Sequence, residues 1–419
     1  MGVLQSTEDY TPEEKTKISD LLADKGCYPI FMKMSELLPF YNFYENVMKT
    51  LFHNFKSLYE TDLTHLTHVE FNELWRHYVM VNKSFAQKIT DLKKLFPTLK
   101  QVWIHGDNLL MTPQYIRKST FSSEANIGFF FHSPFPSSGI FRMFQFRHEL
   151  LQSLLQCDLV GFHLFEYARN FLMTCHRILG LEYEFSRGGY LGINNHGKNV
   201  MVRVSHVGID QSYFEELFHS GQYHKLLKSL KNQVQQITPQ YNSKPIIISS
   251  IDSLHPITGI KNKLLSYYEF LKKYTETYNR RIVLIQYCLP ILDNNDQYVS
   301  QVKIISNTRK EIKDIVDSIK RDFGDQSIIL QEDNPSMEKR LALWSESDVL
   351  LVSSLRDGLC LPLFEYVAAK KNSGKLGEGV MMLSEFSGTN RAFKGFLEYN
   401  PFNVSEFLTK LDRALSMST

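Results

Sequence analysis

Residues 353–366, SSLRDGLCLPLFEY, and residues 127–142, IGFFFHSPFPSSGIFR, decide the fold of this 419-residue chain. The first reads as a strand, a glycine turn and a helix. That order sets Asp357, and the backbone amides of Leu359, Cys360 and Leu361 after Gly358, at a helix N-terminus, where unpaired N–H groups favour an anion. Glu365 follows about two helical turns further on. The second stretch is an apolar run closed by His132, Pro134 and Pro136, which suits a buried parallel strand presenting His132 at its carboxyl end.

Outward from these stretches, strands alternate with helices. Residues 74–96 have the period of an amphipathic helix, and 101–104, 127–131, 159–162 and 200–206 read as short apolar strands. Residues 187–190, Arg-Gly-Gly-Tyr, read as a hairpin turn. A polar segment, 210–243, leads through Lys244-Pro245 into a second series. Its expected strands are 246–249, 281–286, 327–330, 349–353 and 379–384, its helices 261–278, 298–323, 336–344 and 361–370, with a last helix from Ser405. The pattern predicts an α/β protein with two Rossmann-like domains facing a cleft, residues 1–243 and 244–419.

Composition narrows the function classes. A formal charge of +2, from 47 basic and 45 acidic residues, gives no long-range field for nucleic acid or an anionic membrane. The five cysteines, Cys27, Cys157, Cys175, Cys288 and Cys360, have neither metal-ligand nor redox spacing and read as reduced thiols. An N-terminus carrying Glu8, Asp9, Glu13 and Glu14 has the wrong chemistry for a signal peptide, and no apolar run reaches a membrane span. The expectation is a cytoplasmic protein.

The strings HSPFPSS (132–138), DLVGFH (158–163), EYAR (166–169) and LRDG (355–358) resemble, in this order, the trehalose-6-phosphate synthase family, most closely its plant-type regulatory branch. The likeness runs from about Glu13 to Ser418. It implies the glycosyltransferase-B arrangement and glucosyl transfer from UDP-glucose to glucose 6-phosphate, with no metal or cofactor. It also implies a first strand with a glycine loop before the matched region, and a crossing helix after it, for which this sequence has no counterpart.

By the same resemblance His132 and Asp357 match residues on the donor glucose, Glu365 matches the residue on the ribose hydroxyls, and Gly358, Leu359, Cys360 and Leu361 form the phosphate turn. Other positions differ. The family's diphosphate arginine and lysine correspond to Ser253 and Thr258, with Lys261 and Lys263 lying past the following glycine. The family's His-Asp-Tyr-His-Leu is His105-Gly106-Asp107-Asn108-Leu109 here, so an acidic residue becomes Gly106 and a tyrosine becomes Asp107. On the acceptor side an aromatic pair becomes Phe40 and Lys49, and a phosphate-binding arginine becomes Leu292. One missing transition-state contact commonly costs about 2.7–4 kcal/mol. The substitutions therefore favour a catalytically impaired, regulatory or subunit form. Its ligands would be UDP-glucose or UDP, glucose 6-phosphate recognition is disfavoured, and its partners would be other trehalose-synthesis subunits. An active synthase is the alternative, and another glycosyltransferase of the same layout ranks third.

Overall fold

The computed structural model describes residues 10–55, 67–119, 125–186, 190–237, 245–274, 282–290 and 303–417. The chain forms two compact units, 1–205 and 206–419.

In the first unit six strands form one sheet in the order β1-β2-β3-β6-β5-β4. They are β1 (Gln101–His105), β2 (Asn126–Phe131), β3 (Leu159–Phe162), β4 (Tyr183–Ser186), β5 (Tyr190–Asn195) and β6 (Lys198–Val204). β1, β2, β3 and β6 run parallel, whereas β4 and β5 are antiparallel additions on either side of residues 187–189. Helix His68–Leu95 begins at a reciprocal cap between Thr67 and Glu70, which satisfies N–H groups that a helix start leaves open. Its buried Tyr78 and the equally buried Phe40 and Phe43 pack ring against ring. Each large side chain so buried contributes on the order of 1.5–3 kcal/mol.

The second unit holds an all-parallel sheet in the order β12-β11-β10-β7-β8-β9. Its strands are β7 (Ile246–Ser253), β8 (Ile282–Leu289), β9 (Ile328–Gln331), β10 (Val349–Val352), β11 (Val380–Ser384) and β12 (Leu397–Tyr399). β7 and β8 are near-continuous buried runs, as a sheet covered on both faces requires. The units divide after Ser205 rather than at 243. Helices Gln211–Phe218 and Gly221–Ile237 place Phe214, Phe218, Tyr223 and Val234 in one core with Val283, Trp344 and Leu363, so the segment that looks polar in sequence belongs to the second unit. Among the described residues no helix is long and apolar enough to cross a membrane, and no group of three or more His, Cys, Asp or Glu is placed to hold a metal ion.

Candidate functional site

Strand order alone points to a site in the second unit. From β7 the chain steps outward to β8 and β9, then returns to the other side of β7 with β10. Ligands of such sheets bind beyond the carboxyl ends of the two strands flanking this reversal. Here those ends carry residues 253–259 and 353–361.

The two turns are stitched together. Ser353 Oγ donates to the Thr258 carbonyl at 2.8 Å, and the Leu355 amide donates to the Ile257 carbonyl at 2.8 Å. Gly259 has φ +68°, and a Cβ there would run into the Ser353 carbonyl, so only glycine permits this approach. Thr258 turns its hydroxyl back onto the carbonyls of His255 (2.7 Å) and Ser253 (3.3 Å). Of the two sequence-predicted positions, Thr258 thus touches the 353–355 segment that leads into the Asp357–Gly358 turn, and Ser253 is tied to it through the Thr258 hydroxyl.

Asp357 is clasped by its neighbours. Ser354 Oγ donates to Oδ2 at 2.5 Å, and Ser387 Oγ and the Gly388 amide donate to Oδ1 at 2.8 and 2.9 Å. Burial raises its pKa, the three donors lower it, and the nearby Asp252 charge raises it further. The 384–388 turn supplies two of these donors. The helix start after Gly358 is partly occupied as well. The Cys360 amide, expected to face a phosphate, instead donates to Thr389 Oγ1 at 2.7 Å. Leu361, the first residue of helix Leu361–Asn372, is exposed, and Leu359 is half-buried.

Glu365 is 4% exposed. Its carboxylate accepts from Arg340 Nη2, 2.7 Å from Oε1 and 2.6 Å from Oε2, and from Trp344 Nε1 at 3.2 Å. The sequence reading missed both partners, although Arg340 and Trp344, four apart on one helix, share a face.

The two lysines past Gly259 are both engaged by carboxylates. Lys263 is 1% exposed; its Nζ ion-pairs with Asp252 Oδ2 and donates to Ser250 Oγ at 2.6 Å. Gln286 Nε2 adds a bond to the same Asp252 oxygen at 3.0 Å. Lys261 points away to Glu311, 2.9 Å distant. Of the two charges, Lys263 is neutralised inside the fold, and Lys261 is paired with Glu311 at the surface.

In the first unit His132 lies exposed at the end of β2, its Nε2 2.9 Å from Nδ1 of His105 at the end of β1, the donor being set by the tautomer. Burial lowers the pKa of both imidazoles; for His132 the His105 charge adds to this and Asp107 opposes it. Gly106 has φ +96°, and a Cβ there would meet Asn108 Oδ1 at 2.6 Å. A side chain at 106 would therefore be strained in this turn. Asp107 turns inward, 4% exposed: Oδ1 accepts from Tyr44 at 2.7 Å, and Oδ2 is buried with no hydrogen-bond partner among the described residues. The helix at Met34–Phe43 continues through a wider turn, Tyr44–Met48, into Lys49–Phe52. On it Phe40 is wholly buried, stacked on Tyr44 and Tyr78, so it is a core residue; Lys49 is paired with Glu45 at 2.9 Å. Leu292 lies outside the described residues.

Comparison with known proteins agrees with this architecture. The model of glycosyltransferase family 20 matches residues 1–419. An Arabidopsis thaliana alpha,alpha-trehalose-phosphate synthase (UDP-forming) is 30% identical over all of the chain and 47% of its own length; the chain spans about half the length of the curated relatives it matches. The N-terminal domain of a Candida albicans trehalose-6-phosphate phosphatase superposes with a TM-score of 0.77 at 27% identity, over 97% of this chain and 80% of that one. An E. coli protein bound with UDP-2-fluoro glucose gives 0.71 at 25%, over 92% and 78%.

Proposed function

The chain belongs to glycosyltransferase family 20, and from that premise we propose that it is a trehalose-6-phosphate synthase-like domain with impaired glucosyl transfer. It binds UDP or UDP-glucose weakly in the second unit and acts as a regulator or subunit in the cytoplasm. The observation that carries the reading is the fate of its cations. Ser253 and Thr258 are neutral, Lys263 is buried against Asp252, and Lys261 reaches Glu311. A departing nucleoside diphosphate develops negative charge, and preorganised cations or amides at that point are usually the largest single source of rate. With the Cys360 amide also engaged by Thr389, the turn supports ground-state contact better than charge development. Interactions made equally before and during transfer do not raise turnover.

On the acceptor side Phe40 is buried and Lys49 is paired with Glu45, which supports little affinity for glucose 6-phosphate. A domain of this fold also stands at the N-terminus of a protein named for a phosphatase, so the scaffold is not restricted to proteins named as synthases.

Calorimetric titration tests the binding half of this proposal. UDP and UDP-glucose are expected to give weak, saturable heats, and glucose 6-phosphate none. Absence of any heat with UDP would overturn the nucleotide-binding reading.

A further inference from the structure

Arg340, in helix Met337–Glu346, and Glu365, in helix Leu361–Asn372, form a pair that bears on how a nucleotide enters. One guanidinium nitrogen, Nη2, lies within hydrogen-bond distance of both carboxylate oxygens, at 2.7 and 2.6 Å, and the Trp344 indole adds a third contact at 3.2 Å. A carboxylate offers about four acceptor sites, so these three contacts leave about one, too few for the two hydroxyls of a ribose. A charge-assisted bond is also roughly twice as strong as one from a neutral hydroxyl, and ribose does not displace the guanidinium without cost. Arg340 Nε is buried with no hydrogen-bond partner among the described residues. In the hydrogen bonds described, Glu365 is the group that holds the guanidinium.

We propose that Arg340 is a built-in occupant of the nucleoside subsite: it holds Glu365 closed, and a ribonucleotide binds only when the guanidinium swings off the carboxylate. The inference rests on the reading of Glu365 as the ribose anchor. It makes Arg340 a residue that sets nucleotide affinity from the neighbouring helix.

The test is calorimetric titration of UDP into the full chain carrying Arg340→Gln or Arg340→Lys, with thermal unfolding to establish that each variant is folded. Arg340→Gln is expected to bind UDP about tenfold more tightly or better, a difference of about 1.4 kcal/mol. Arg340→Lys, which keeps a cation opposite Glu365, is expected to behave as wild type. A second measurement needs no variant at position 340. UDP should change the fluorescence of Trp344 in the wild-type chain, a change lost in Trp344→Phe, because the indole shares its acceptor with the departing guanidinium. Equal, finite affinities in wild type and Arg340→Gln would overturn the closure and leave the nucleotide-binding reading standing. Weaker binding in Arg340→Gln would overturn it by showing the guanidinium to be a ligand-binding cation. Heat without a Trp344 response would also overturn it, and no binding by either protein would overturn both inferences.

Discussion

A chain carrying Ser253→Arg together with Thr258→Lys is expected to bind UDP about a hundredfold more tightly than wild type. Both positions are half-buried at the carboxyl end of β7 and so have an outlet for a long side chain. The turn that holds them is fixed against the Ser353–Leu355 segment by two backbone-directed hydrogen bonds. A hydrogen bond to a charged group contributes about 1.5–3 kcal/mol. The Thr258 hydroxyl bonds to His255 and Ser253 are lost from the free and the liganded variant alike, so they lower stability, by about 1 kcal/mol, and not affinity. Two new cations, each at the lower end of that range, therefore give about 3 kcal/mol, or about a hundredfold. Calorimetry reads this directly, and Ser253→Arg alone should give roughly the square root of the effect. An unchanged dissociation constant would mean that the 253–259 turn does not face the nucleotide.

Lys263→Met is expected to destabilise the second unit by about 3–5 kcal/mol, because removing one member of a buried ion pair leaves the other charged and without its counter-ion. Among the described residues Asp252 would retain Ser250 and Gln286 as donors. Replacing Asp252 by leucine in the same chain should recover much of the loss, since apolar groups of similar volume often substitute for a buried pair with little cost. Denaturant unfolding of the two single variants and the double variant closes the cycle. A loss under about 1 kcal/mol for Lys263→Met would show that Lys263 is not committed to Asp252, and would return it to the pool of cations able to reach a phosphate.

Much of the scaffold was legible from sequence because buried parallel strands are short apolar runs and their helices keep a 3.6 period. β1, β2, β3, β7, β10 and β11 fall where that pattern puts them. β4, β5 and β12 are short and mixed, and owe their pairing to neighbours that composition does not show. The unit boundary was misplaced because Gly221–Ile237 is polar on average, and because Gln211–Phe218 is short, with its apolar residues set among Gln211, Ser212, Glu215 and Glu216. Their thin apolar stripe, Phe214 and Phe218 above all, was the available signal.

The motif residues Asp357, Gly358 and Glu365 could be picked out from their order, but not what holds them. Lys263 and Asp252 are 11 positions apart, Arg340 and Glu365 25, and Cys360 and Thr389 29. Contacts across such separations depend on how helices seat against the sheet, not on local spacing. The internal neutralisation of the site was hidden for that reason.

The most direct measurement is the rate of UDP release from UDP-glucose in the presence of glucose 6-phosphate. With Ser253 and Thr258 in place of cations, and with Lys263 and Lys261 held by Asp252 and Glu311, release is expected at least about a thousandfold below an ordinary enzyme rate of roughly 10 per second. Release at about 1–1000 per second would contradict the account, because a site so neutralised would then be stabilising the departing diphosphate after all.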